Sequence, residues 1–193
     1  MNSVTDASAT DYTNSIHARL MATSFGLNND DALACMLASQ CAGIGSMPPR
    51  LGLSRDTYKS MMATHFSGVE LPIDYMADVE NDEDRNDEQK ELLDLFLAHR
   101  LDPGPAAEWI AHILVAGMMG GNHLWQDLGL WDRKDLTALI ARNFPELAAK
   151  NDRDMKWKKF LYKQLCVQEG IYTCRSPSCE VCPDYSDCFS PEV

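Results

Sequence analysis

The chain has 193 residues, 45% of them apolar and 24% charged, with seven cysteines and a formal net charge of −12. This composition excludes a disordered chain, and the length is enough for one domain whose core needs no covalent staples. The negative balance excludes generic binding to nucleic acid or to an anionic membrane surface.

Helix formers dominate and no stretch alternates like a strand, so every predicted element is helical. Residues 1–11 read as a disordered lead to a helical domain over 12–170, followed by a cysteine-rich tail over 171–193. A first helix is expected near Tyr12–Ser24, ended by Gly26, and a second over Asn29–Cys41, opened by Asn/Asp caps and closed by Gly43 and Gly45. GIGSMPPRLGLS (residues 43–54) is a loop, because Pro48-Pro49 forbids helix. Ser54 caps a third helix to about Phe66. An acidic loop then feeds a helix over Glu83–His99, with Leu92, Leu93, Phe96 and Leu97 at core spacing. Glu108–Met119 is apolar nearly all round, as a central buried helix should be, and Gly120-Gly121 ends it. Asp132 caps the next helix, Pro145 opens a short one, and Asp154 is expected to cap the last, Met155–Glu169. The fold class is therefore all-α: a single-domain helical bundle with an irregular C-terminal cysteine-rich, metal-binding tail.

No apolar run reaches membrane length; the greasiest, Ile110–Met119, has ten residues and is broken by His112. The first fifteen residues lack a positive or apolar leader, so the expected location is a reducing cytoplasm, where clustered cysteines are more often metal ligands than disulfides. Charge is uneven. Residues 70–108 carry thirteen Asp/Glu against three Lys/Arg, whereas residues 131–175 carry ten Lys/Arg against six Asp/Glu. In the last helix Trp157, Phe160, Leu161 and Leu165 share one face, while Lys156, Lys159 and Lys163 line another. These lysines read either as solvated stems over a core helix or as an anion-contact strip.

The basic segment leads into CRSPSCEVCPDYSDCFSPEV, where Cys174, Cys179, Cys182 and Cys188 are spaced C-x4-C-x2-C-x5-C. Such crowding supplies four thiolates to one soft metal or cluster, and Pro177 and Pro183 lower the entropy lost on wrapping it. Structural zinc sites usually use two separated CxxC pairs, so the spacing leans to an iron–sulfur cluster, with zinc and free thiols as alternatives. Among the other candidates, Cys166 reads as a small buried hydrophobe or as a further ligand. His123, after Gly120-Gly121, reads as a helix cap or as a metal ligand whose second nitrogen is oriented by Asp127. His112 is expected to be a satisfied core histidine. Cys35 and Cys41, at i, i+6 and on no common face, are assigned to packing.

The cysteine tail, together with HLWQDLGLWDR (residues 123–133), FPELAAKNDRDMKWKKFLYKQLCVQEG (residues 144–170) and the looser PPRLGL (residues 48–53), resembles the NifQ family of nitrogen-fixation accessory proteins. The resemblance implies a molybdenum–iron–sulfur cluster and delivery of molybdenum to iron–molybdenum cofactor synthesis through NifEN and NifH. It implies Cys174, Cys179, Cys182 and Cys188 as ligands. The lysines and Arg175 would then offset the cluster's negative charge and attract molybdate. The tail, placed beyond a complete core, suits an arm that reaches a partner. The chain carries no G-x-S-x-G, P-loop, G-x-G-x-x-G or H-E-x-x-H motif, in keeping with a carrier and not an enzyme. The competing readings are a zinc-stabilised helical interaction module and a thiol redox sensor.

Overall fold

The computed structural model describes residues 3–73, 77, 85–168, 170 and 185–192. The expected ligands Cys174, Cys179 and Cys182, together with Arg175 and most of the acidic loop before Arg85, lie outside the described residues. Among the described residues the structure is all-α, as the composition predicts. The helices are α1 (Ser3–Ala22), α2 (Asp30–Cys41), α3 (Arg55–His65), α4 (Asn86–Ala98), α5 (Pro105–Met118), α6 (Leu124–Leu128), α7 (Arg133–Asn143), α8 (Pro145–Ala149), α9 (Trp157–Gln168) and α10 (Tyr185–Phe189). The single β feature among them is an isolated antiparallel bridge between Ser24 and Phe66. None of these helices is long and apolar enough to cross a membrane.

Helix α1 begins at Ser3, well before the expected Tyr12, because no glycine or proline interrupts the sequence there. Its Ile16 and Leu20 pack against α2, whose Leu33, Met36 and Leu37 are buried. The cap at Ser54 forms as expected: its hydroxyl accepts from the Thr57 N–H at 3.2 Å. Ser54→Ala should therefore lower stability by about 1 kcal/mol, measured by urea denaturation, with no loss of helix content beyond α3.

Helix α5 is the central element, burying Ile110, Ala111, Ile113, Leu114, Gly117 and Met118. It is not buried all round, and His112 is exposed, contrary to expectation. Glu108 and His112 are i, i+4 and form a narrow solvent-facing stripe that the apolar count concealed. The PPRLGL loop plugs onto this helix. Arg50, Leu51 and Gly52 all have positive φ (58°, 55° and 79°), and a Cβ on Gly52 would lie 2.6 Å from the Ala116 Cβ. Only glycine permits that approach. Leu51 is buried beneath the turn, and the buried Arg50 donates to the carbonyls of Leu53 (3.2 Å) and Ala77 (2.6 Å).

Polar contacts fix the remaining helices. Asp30 accepts from the Leu27 N–H at 2.8 Å and pairs with His65 Nδ1 at 2.6 Å, with both side chains almost fully buried. The Asn29 and Asn143 amides exchange two hydrogen bonds (2.9 and 3.0 Å), tying α2 to α7. On the far side, Glu88 of α4 takes a bidentate contact from Arg85 and a hydrogen bond from the Tyr162 hydroxyl of α9. The Arg85 guanidinium first, then the tyrosine, hold the Glu88 carboxyl below its usual range against the cost of burial. Burial, with Glu88 beside it, pushes the Tyr162 phenol up to about 12.

Candidate metal centre

The short helix α6 (LWQDL) carries one acid, Asp127, and its side chain is fully buried. Burial of a carboxylate requires donors on every side. Four are present: Ser46 Oγ at 2.9 Å, Asn122 N at 3.0 Å, Asn122 Nδ2 at 3.1 Å and Lys158 Nζ at 2.5 Å. Burial alone would raise this carboxyl, but the bonds from Lys158, Asn122 and Ser46 outweigh it and hold it below the usual range. Lys158 also donates to the Gly120 carbonyl at 2.7 Å. Gly120 is the glycine this arrangement demands, since a Cβ there would lie 2.3 Å from the Asp127 carboxyl carbon. Asp127 therefore anchors α9 and does not orient His123, contrary to expectation.

His123 sits at the N-cap of α6, where the Gln126 side chain reaches back to its N–H at 3.3 Å. Its Nδ1 faces Glu192 Oε1 at 3.5 Å. Arg133, at the start of α7, lies on the other side of that carboxylate, with Nε 3.3 Å from Glu192 Oε2. That oxygen is buried and has no aligned hydrogen-bond donor, so the contact is a pairing of charges only. Arg133 further binds the Asp154 carboxylate at 2.6 Å and the carbonyls of Asp154 and Met155. Asp154 is thus drawn outward in a left-handed conformation (φ 54°) and does not cap the last helix, which begins at Trp157.

The segment 185–192 returns to this corner. The Cys188 carbonyl accepts from the Lys156 N–H at 2.8 Å, and Cys188 and Phe189 pack against the core. Tyr185 stacks on Phe189, with ring centroids 4.4 Å apart. A cleft of about 580 Å3 opens between the His123 loop, α9 and this segment, edged by Lys156, Lys159, Asp187 and Glu192. The structure therefore brings His123, Lys156 and Lys159 to one cleft, with Cys188, the one described member of the thiol set, joined to Lys156 through its backbone carbonyl. Cys166 stands apart as a half-buried free thiol near the end of α9. Cys41 is also a free thiol, and burial pushes it up to about 11, in keeping with a packing role.

The chain is thus an all-α protein whose C-terminal segment 185–192 folds back beside a lysine-edged cleft. The NifQ family model matches residues 32–190, a span that includes all four tail cysteines. Protein NifQ of Azotobacter vinelandii is 42% identical over 174 residues, covering 82% of this chain and 86% of the relative. Protein NifQ of Rhodobacter capsulatus is 40% identical over 166 residues, covering 84% and 90%. Protein NifQ of Klebsiella pneumoniae is 39% identical over 159 residues, covering 77% and 90%. No solved structure matches the chain. The chain belongs to the NifQ family, which is linked to nitrogen fixation.

Three residues of this corner escape a reading of the sequence alone: Lys158, Arg133 and Glu192. Lys158 falls off the Lys156–Lys159–Lys163 stripe, and its partner is 31 residues away. The signal that points to it is Asp127 itself, an acid inside LWQDLGL, which requires a cation from elsewhere in the fold.

Proposed function

We propose that this chain carries a molybdenum–iron–sulfur cluster as cargo on Cys174, Cys179, Cys182 and Cys188. It passes molybdenum to synthesis of the iron–molybdenum cofactor of nitrogenase, with the NifEN scaffold and NifH as partners. It acts in the cytoplasm as a carrier and not as an enzyme. The observation that carries this reading is the family match over residues 32–190, which spans the complete C-x4-C-x2-C-x5-C set. The donor chemistry fits the cargo. Four thiolates suit iron–sulfur and other soft metals, and an anionic thiolate cluster is favoured by nearby ammonium groups. Lys156 and Lys159, at the edge of the cleft beside Asp187, are placed to supply that charge or to attract molybdate.

Anaerobic purification with metal analysis tests the proposal. The expected result is a coloured protein containing iron and molybdenum. Stoichiometric zinc with neither iron nor molybdenum would establish the zinc-stabilised module instead, and a metal-free protein that forms disulfides reversibly would establish the redox sensor. Changing all four tail cysteines to Ala should abolish metal content while leaving the far-ultraviolet circular dichroism near that of the parent. Of the described residues only Cys188 among these thiols touches the core, and it packs at its edge.

A further inference from the structure

Away from the tail, α1 and α2 bring three metal-ligating side chains together. His17 Nε2, Asp31 Oδ1 and Cys35 Sγ all lie within 4.8 Å of one another. Asp31 and Cys35 are i, i+4 and project from one face of α2. His17 reaches across from α1, its Nε2 3.0 Å from Asp31 Oδ1. Two residues that are not ligands set the imidazole's orientation. The His17 ring packs against the Trp131 indole with centroids 4.9 Å apart, and Trp131 Nε1 is tethered to Ser39 Oγ at 3.3 Å. The three donors run from core to solvent: Cys35 is buried, His17 is partly covered, and the Asp31 carboxylate is 73% exposed.

We propose that His17, Asp31 and Cys35 form a second metal site, for a borderline divalent cation of the zinc or cobalt class, with water completing the coordination. The donor set selects that class. A thiolate disfavours calcium and magnesium, an imidazole suits zinc and its neighbours, and three protein ligands with one open position is a recurrent zinc arrangement. Metal–ligand bonds of about 2.0–2.3 Å require the donor atoms to stand roughly 3.3–3.8 Å apart around a tetrahedral ion. The His17–Asp31 pair at 3.0 Å must open by a few tenths of an ångström, and a pair at the 4.8 Å limit must close by about 1 Å, which side-chain rotation of His17 and Asp31 supplies.

Electrostatics favour a dication at the same place. Asp31, and more weakly Asp135 of α7, add negative charge around Cys35. Burial first, then Asp31 and Asp135, push the Cys35 thiol up to about 12. The metal-free site therefore keeps the S–H bond. On binding, the S–H bond breaks, a sulfur–metal bond forms, and one proton leaves to the buffer, so affinity rises with pH. The same two carboxylates that oppose a bare thiolate attract the cation. His17 and Asp31 precede the residues matched by the family model, whereas Cys35 falls within them.

Anaerobic cobalt(II) titration of the full chain with its four tail cysteines changed to Ala provides the test. One equivalent should bind, with the near-ultraviolet sulfur-to-cobalt charge-transfer band and visible bands of a tetrahedral site. Adding His17→Ala or Asp31→Asn should weaken binding at least about tenfold, and adding Cys35→Ala should remove the charge-transfer band. If the tail variant does not fold, the comparison is made on the parent chain, where His17→Ala should lower the bound cobalt by one equivalent. Absence of binding, binding that His17→Ala leaves unchanged, or a charge-transfer band that survives Cys35→Ala would each overturn the proposal. The first two outcomes would leave His17 and Asp31 as an ordinary ion pair. None of them bears on the tail.

Discussion

Lys158→Met should lower the free energy of unfolding by about 3–5 kcal/mol, the range for removing one partner of a buried ion pair. The variant keeps the length of the side chain but leaves Asp127, which has no solvent-exposed surface, without its cation. Ser46 and Asn122 continue to donate, which sets the lower end of that range. The dependence on pH gives an independent check. Because the folded Asp127 carboxyl lies below its ordinary value, its contribution is fully present above the unfolded carboxylate value of about 3.9 and is lost as pH falls through the folded one. The gap in urea midpoint between parent and variant should therefore be widest near neutrality and narrow below about pH 4. A loss under about 1 kcal/mol at neutral pH would mean that the neutral donors alone satisfy the carboxylate. Lys158 would then be only a surface lysine.

Asp30→Ala should have a comparable effect by a different route. Two groups lose their partner at once, His65 Nδ1 and the Leu27 N–H, and at about 1–3 kcal/mol for each stranded group the total is about 2–6 kcal/mol. His65 has no ready access to water, since it is buried and its ring lies edge-on to Trp109 with centroids 6.0 Å apart. The double variant Asp30→Ala/His65→Leu removes both ends of the pair and should cost less than the sum of the single changes, measured as a urea double-mutant cycle. Strict additivity would show that the two side chains do not act as a pair.

The helices were legible because their signals are local. Ser54 and Asp132 cap where a short polar side chain precedes an apolar period, and α5 announces itself by composition. His112 was misplaced because the apolar residues on both sides of it hide which single stripe faces water. Asp154 was misplaced because its cap-like context competes with Arg133, 21 residues earlier, and such a competition is invisible to a window of neighbours. The candidate site divides in the same way. Cysteine spacing is a local pattern and can be read directly. The meeting of residues 123–133 with residues 144–170 runs through the buried pair Asp127–Lys158 and the Arg133 contacts to Asp154 and Met155, and pairing across the fold has no periodicity. The His17, Asp31 and Cys35 cluster is of this second kind, since α1 and α2 must pack before its members become neighbours.

The return of segment 185–192 bears on the image of an arm extended toward a partner. The Cys188 carbonyl accepts from the Lys156 N–H just before α9 and Glu192 lies between His123 and Arg133, so segment 185–192 is held against the helical core at two points. Glu192 beside Arg133 is the clasp on this segment, and because that carboxylate is only 3% exposed, rising ionic strength screens it little. A surface able to take Glu192 from Arg133 would be enough to open it.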